Sequence, residues 1–374
     1  MLKELFLFPI SSIYGTGVRL RNFMYDAKLI KSIQFDIPII SIGNITVGGT
    51  GKTPHTEKLI SFLKDEHKIA VLSRGYKRKT KGFILGTDDA ACESIGDELM
   101  QIKQKFPDII VAADEKRVRG VKKLRALHPE ISLILLDDAF QHRKIMPGLS
   151  ILLTDFNRPI NEDHFLPLGR LRDSLSQVRR AHVIIVTKAP ADIKPIQMRV
   201  ISQNLNILPY QTIFFTSTVY SDWKSVYPTN FSESEISKLK TNNPHILVVA
   251  GIANPERLLD YAKSVSKNAE LIAFPDHHAF TPKDIGKIKG KFQSIQTEHK
   301  LVLTTEKDAV RFRCFVSPEV EFAQKLFYVP IHPAVINDTK NEFAEYIRNY
   351  IRSAQNDTKF YKAYNQNFGN TTEK

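Results

Sequence analysis

The residues best suited to chemistry stand in one run, Gly43-Asn-Ile-Thr-Val-Gly-Gly-Thr-Gly-Lys-Thr-Pro54. Gly48, Gly49 and Gly51 allow the backbone to turn several N–H groups toward one anion. Lys52 is a long cation that can reach the β- and γ-phosphates of a nucleotide, and Thr53 offers a hydroxyl to Mg2+. Thr46, Val47 and Thr50 complete the loop. Pro54 suits the first turn of a helix, where its missing N–H is not needed. The apolar run Ile37–Ile42 comes first, so the order is strand, glycine-rich loop, helix, as a phosphate-binding loop requires. One position departs from the usual GxxxxGK[ST] spacing: Thr46 stands where the first glycine would fall.

A second apolar run, Ile131-Ser-Leu-Ile-Leu-Leu-Asp-Asp138, ends in two carboxylates. Mg2+ takes oxygen ligands and keeps several waters, so Asp137 or Asp138 at that strand end would suffice beside Thr53. In Val186-Thr-Lys-Ala-Pro190 a proline occupies the place of a guanine-reading aspartate, which favours ATP. Gly96-Asp-Glu98 offers a base in Asp97, although the same three residues also make a fair helix start. Asp276-His277-His278 can orient a carboxylate or form part of a zinc site, but no third ligand stands at useful spacing. Arg74, Lys116, Arg117, Arg119, Arg170 and Arg172 are candidate phosphate holders.

The elements that must position these groups can be read from hydropathy. Ile37–Ile42, Ile69–Leu72, Ile109–Ala112, Ile131–Leu136, Ile151–Leu153 and Val183–Val186 are short, rich in Ile, Val and Leu, and barely alternate. Strands buried on both faces read this way, and the segments between them are long enough for crossover helices. The predicted fold is α/β: a P-loop NTPase-like doubly wound sheet followed by a second, smaller α/β domain built on Ile246–Ala250, Leu271–Phe274, Leu301–Leu303 and Leu326–Val329. The expected division is an N-terminal segment at 1–35, a P-loop domain at 36–205, a linker at 206–243, the smaller domain with a terminal helix at 244–353, and a polar tail at 354–374.

The chain has 374 residues, 42% of them hydrophobic, and a net charge of +13. Nucleic acid, an anionic membrane or a phosphorylated substrate would each account for that excess. No helix-turn-helix, zinc-finger or RNA-binding signature is present, so nucleic acid is not the expected partner. Two cysteines without CxxC spacing point to reduced thiols rather than a disulfide framework. No apolar run reaches the roughly 20 residues of a membrane-spanning helix. The stretch Leu5–Ile10 is too short for a signal peptide and carries Pro9. In Val18–Lys31, Leu20, Phe23, Met24 and Ala27 recur at helical spacing between Arg19, Arg21, Lys28 and Lys31, a pattern shared by interfacial helices and by helices packed on a core.

Several segments go beyond generic nucleotide binding: Ser73-Arg-Gly-Tyr76, Gly96-Asp-Glu98, Leu136-Asp-Asp-Ala-Phe-Gln-His142, Leu166-Pro-Leu-Gly-Arg-Leu-Arg172, Gly251-Ile-Ala-Asn-Pro-Glu-Arg257, Phe274-Pro-Asp-His-His278 and Thr305-Glu-Lys-Asp308. With the glycine-rich loop, their order and spacing from Asn44 to Asp308 resemble the tetraacyldisaccharide 4'-kinase family of lipid A synthesis. Two positions differ from that pattern: Ala139 and Lys77 stand where the family usually has glycine. The resemblance implies phosphorylation by ATP of the 4'-hydroxyl of a tetraacyldisaccharide 1-phosphate, giving lipid IVA, at the cytoplasmic face of the inner membrane and with no obligatory protein partner. It also implies that Asp97 acts with His277, beside Asp276, and with Lys52. The disaccharide is then expected on Asn44, Arg74, Tyr76, Arg117, Gln141, His142, Arg170 and Arg172.

Overall fold

The computed structural model describes residues 2–87, 92–227, 231–276, 278–315 and 322–368. The first domain opens with α1 (Leu2–Asp26), β1 (Ile39–Gly43), α2 (Lys52–Leu63), β2 (Ile69–Ser73), β3 (Ile84–Gly86), α3 (Cys92–Ile95), α4 (Asp97–Lys105) and β4 (Ile110–Ala113). It continues with α5 (Arg117–Leu127), β5 (Leu133–Asp137), β6 (Leu149–Asp155), β7 (Val183–Thr187), α6 (Pro195–Asn204) and β8 (Thr212–Tyr220). The second comprises β9 (Lys224–Ser225), α7 (Glu233–Thr241), β10 (His245–Ala250), α8 (Glu256–Val265), β11 (Ala269–Ala273), α9 (Pro282–Ser294), β12 (Lys300–Thr305), α10 (Glu306–Phe315) and β13 (Leu326–Val329). The chain then returns to the first domain as β14 (Ile331–Val335) and α11 (Glu342–Phe368).

Nine strands form the large sheet in the order β14-β8-β7-β6-β1-β5-β2-β4-β3, parallel except at its two edge strands. All six of the first domain's apolar runs lie inside it. Alternate residues of each run face opposite sides. Leu133 and Leu135 pack with Leu59, Leu63, Met100, Ile347 and Ile351 of α2, α4 and α11, whereas Ile134 and Leu136 pack with Val121 and Leu124 of α5. Burial on both faces is why these strands carry no polar alternation. The smaller sheet runs β11-β10-β12-β13-β9, and its four parallel strands match the four apolar runs of the second domain.

Three boundaries differ from the expectation. Thr212–Tyr220 is β8 of the large sheet rather than part of a linker, because parallel pairing with β7 satisfies its backbone. The last segment does not remain with the smaller domain: β14 pairs antiparallel with β8, and Phe343, Ile347 and Ile351 of α11 seat in the large core. Helix α11 also runs on to Phe368, through most of the expected polar tail.

Helix α1 starts well before Val18 and passes through Pro9. Its buried face is small or polar: Ser11, Gly15, Val18 and Asn22. The Ser11 hydroxyl donates to the Phe165 carbonyl at 2.7 Å, and the Asn22 amide donates to Asp173 at 2.6 Å. A Cβ on Gly15 would fall 2.7 Å from the Phe165 ring, so only glycine permits this approach. The large apolar residues point outward, with Phe6 and Ile13 about three-quarters exposed and Leu20 and Phe23 about 60% exposed. Among the described residues, no helix is long and apolar enough to cross a membrane.

Candidate active site

The glycine-rich loop joins β1 to α2, with Gly51 as the residue before the helix at φ 84°. Three successive carbonyls of the loop are tied down by side chains. Lys188 Nζ donates to the Gly49 carbonyl, Thr187 Oγ1 donates to that of Thr50 at 3.0 Å, and His55 Nδ1 bonds that of Gly51 at 2.7 Å. A carbonyl can only accept, so His55 carries its proton on Nδ1, and Nε2 accepts from the Thr216 hydroxyl at 3.1 Å. Burial holds the imidazole neutral, with its pKa pushed down to about 4. With the carbonyls committed outward, the N–H groups at the start of α2 remain for an anion.

Thr46 explains the departing glycine. It forms an antiparallel bridge with Leu171, and the Val47 N–H donates to the Arg170 carbonyl at 2.8 Å. A bridge of this kind is extended backbone, which suits a β-branched residue and needs no glycine.

The carboxylates at the end of β5 differ in state. Asp138 lies 3.7 Å from Lys52 and 2.9 Å from Arg172, and these cations hold it below its usual range against the opposing effect of burial. Asp137 is 1% exposed. Burial, then the negative charges of Glu98 and Asp138, push it up to about 7. Its Oδ1 accepts from Thr56 at 3.1 Å, while its buried Oδ2 has no partner among the described residues. A carboxylate oxygen without a protein partner among like charges, on an aspartate bonded to Thr56 one helical turn after Thr53, suits a divalent cation, so Mg2+ fits these residues.

Two loops bring the Gly-Asp-Glu segment to this place. Gly75 (φ 70°) and Gly96 (φ 90°) pack against each other's chains: a Cβ on Gly75 would meet the Ile95 carbonyl at 2.8 Å, and one on Gly96 the Tyr76 carbonyl at 3.0 Å. Asp97 then starts α4, its Oδ1 accepting from the Glu98 N–H at 3.0 Å. The helix-start expectation is met in position: α4 begins at Asp97, after Gly96 at its N-cap. Its Oδ2 is paired with Arg311 of the second domain, at 3.1 Å from Nε. Beside that arginine runs the loop bearing Asp276: a Cβ on Gly251 would meet His278 at 3.4 Å and the Pro275 carbonyl at 3.4 Å. His277 lies outside the described residues. His278 is bonded to Asp284 at 2.9 Å and stacked on Phe274.

The expected substrate residues fall into two groups. Arg74, Tyr76 and Arg170 are exposed. Asn44 is fully buried; it donates to Thr50 Oγ1 at 2.7 Å and takes hydrogen bonds from Arg172 and Gln141, so it braces the phosphate loop instead of facing a sugar. Arg117 also turns inward, bonding the Asp114 carbonyl at 3.0 Å and the Asp137 and Asp138 carbonyls at 3.5 Å. Arg119 is committed to Asp114 and Glu115. His142, pushed down to about 4 by burial and by the charges of Arg117, Lys144, Arg74 and Arg21, is a neutral ring in a basic wall, its buried Nε2 without a protein partner. Glu98, His55, Lys188 and Arg311 are the residues that sequence reading missed. Glu98 and Lys188 lay inside quoted motifs, whereas His55 and Arg311 gave no signal.

The family model for tetraacyldisaccharide-1-P 4'-kinase (LpxK) matches residues 3–352. A tetraacyldisaccharide 4'-kinase of Bacteroides fragilis is 45% identical over 349 residues, covering 92% of this chain and 93% of that protein. One from Phocaeicola vulgatus is 44% identical, covering 95% and 97%. The crystal structure of LpxK from Aquifex aeolicus in complex with ATP is similar at a TM-score of 0.70 and 26% identity, covering 92% of this chain and 99% of that one. A phosphate loop braced on three carbonyls, two strand-end carboxylates and a Gly-Asp-Glu helix start thus occur together in a chain that belongs to the tetraacyldisaccharide-1-P 4'-kinase family.

Proposed function

We propose that this protein transfers the γ-phosphate of ATP to the 4'-hydroxyl of a tetraacyldisaccharide 1-phosphate. The observation that carries the reading is the meeting of three groups at one sheet end: Lys52 within 3.7 Å of Asp138, Asp137 raised by burial and then by the charge of Glu98, and Asp97 next in chain to that glutamate. The hydroxyl oxygen attacks Pγ as the bond from Pγ to the β–γ bridging oxygen breaks, ADP departs, and the hydroxyl proton passes to the Asp97 carboxylate. Such transition states are loose, so alignment and charge neutralisation contribute more than basicity. Lys52 and the N–H groups of the loop hold the phosphates. Bound at Thr53, Asp137 and Asp138, Mg2+ would neutralise charge on the phosphate oxygens. His277 orients the base in this reading.

The lipid substrate places the reaction at a membrane surface, which we assign to the cytoplasmic face of the inner membrane. The outward apolar face of α1 supports peripheral attachment there. At its C-terminal end a groove of about 630 Å³ is lined by Lys31, Lys116, Lys122 and Lys144 around Ile33 and Val118, suited to an anionic surface. The test is transfer of labelled γ-phosphate to the disaccharide in mixed micelles. Wild type should turn over, and Lys52→Ala and Asp97→Ala should each lose on the order of 1000-fold or more, leaving at most a small residual rate. A folded, ATP-binding wild type without transfer would overturn the assignment.

A further inference from the structure

Two motifs of this chain have no part in holding the nucleotide: the Gly251-Ile-Ala turn and Thr305-Glu-Lys-Asp308 at the start of α10. They converge on one side chain. Arg311 is 4% exposed and uses its whole guanidinium. Nη1 donates to Asp308 Oδ1 at 2.6 Å and to the Gly251 carbonyl at 3.0 Å, while Nε and Nη2 both donate to Asp97 Oδ2, at 3.1 and 2.5 Å. Asp308 is itself locked: its Oδ2 accepts from the Gly251 N–H at 2.9 Å and from the Thr305 hydroxyl at 2.8 Å. The arginine is therefore fixed from behind by the second domain and presents one edge to a carboxylate of the first.

We infer that Arg311 is the positioning residue for Asp97, and that the Gly251 and Asp308 motifs act in the reaction only through it. This rests on the reading of Asp97 as the base. With Oδ1 on its own helix start and Oδ2 on Arg311, the carboxylate cannot rotate, and its direction depends on where the second domain sits. A cation on a base lowers its appetite for a proton, an odd choice if proton abstraction were early. In a loose phosphoryl transfer the proton moves late, so fixing the direction of the hydroxyl outweighs that loss. A buried arginine with two carboxylates and a carbonyl is also a coupling device. It ties the orientation of Asp97 to the packing of α10 on α4.

The experiment is a double-mutant cycle with the full-length protein in mixed micelles, using Arg311→Met, Asp97→Ala and the pair, with kcat and both KM values measured. Arg311→Met should lower kcat on the order of 100-fold, the loss expected when a catalytic group is misplaced by about 1 Å. The KM for ATP should stay within about 3-fold, since Arg311 bonds no part of the phosphate loop. In the Asp97→Ala background the same change should cost less than about 3-fold, because the residue through which it acts is gone. Equal losses in both backgrounds would overturn the inference and leave Arg311 as a structural bridge. Asp97→Ala turning over within about 10-fold of wild type would instead defeat the base reading itself, whereas a small residual rate is what the cycle reads. Arg311→Met strands Asp308, so Arg311→Met with Asp308→Asn is measured beside it. If the first does not fold, the second carries the cycle with the same expected outcomes.

Discussion

His55 Nδ1 holds the carbonyl of Gly51, four residues earlier, at 2.7 Å, while its Nε2 takes the Thr216 hydroxyl at 3.1 Å. One neutral ring thus ties the mouth of the phosphate loop to β8. Asparagine can replace the Nδ1 function and glutamine the Nε2 function. His55→Asn should keep the KM for ATP within about 3-fold. His55→Gln should raise it about 10-fold, the equivalent of ~1.4 kcal/mol, in line with losing one buried hydrogen bond. Equal effects from the two would mean that packing matters and the Gly51 bond does not.

Glu57 should make stability depend on pH. It sits on α2 facing Gln101 and Lys105 of α4 and Glu306 of α10, with Lys105 at 2.6 Å. Burial and the charge of Glu306 push it up to about 7, against the pull of Lys105. The folded protein then binds a proton that the unfolded chain releases near pH 4.5, so this group's contribution falls as pH rises from there to about 7. Glu57→Gln mimics the protonated form. It should match wild type near pH 5 and exceed it at pH 8 by on the order of 1–3 kcal/mol, in denaturant titrations. No gain at pH 8 would show that Lys105 keeps the carboxylate ionised.

Attachment to membranes should be separable from folding. Phe6, Ile13 and Phe23 project from α1 and contribute to no core cluster. Replacing all three with serine should leave the thermal midpoint within about 2 °C. Partitioning onto vesicles should fall 100-fold or more, since each such side chain is worth roughly 1.5–3 kcal/mol when removed from water. Unchanged vesicle binding would relocate the contact to the basic groove.

Lys77 adopts left-handed backbone, at φ 58°. Left-handed backbone costs an L-residue about 1–2 kcal/mol. Lys77→Gly should therefore be neutral or slightly stabilising, whereas Lys77→Val should cost about 1–2 kcal/mol in chemical unfolding, since β-branching deepens the strain. A stability loss in the glycine variant would show that the lysine side chain has a role of its own.

The apolar runs were legible because burial on both faces leaves no other composition for a parallel strand. Strands without that constraint were missed: β3 and β14 lie at sheet edges, and β14 carries Pro333, which an edge strand tolerates. Pro9 hid the first half of α1. In the site, glycine-rich and strand-end signals located Lys52, Asp137 and Asp138, since those positions depend on local backbone. Arg311 was invisible because its partners are 60 and 214 residues away, at Gly251 and Asp97. Asn44 was placed in the correct loop and given the wrong neighbour, because sequence does not say whether an amide faces in or out.

The two domains are joined twice, and both crossings leave from the same spot. Tyr220 at the end of β8 is paired with Ile331 at the start of β14, and the Ser221 N–H donates to the Pro330 carbonyl at 2.9 Å. Across the interface of α4 and α10, salt bridges join Glu98 to Lys307 and Lys105 to Glu306, groups that water can solvate once they separate. Such a body behaves less like two beads on a string than like a pair of tongs with a short double-stranded pivot. Two crossings side by side at one neck leave room for a swing and little for translation, so any movement of the jaws would keep their register.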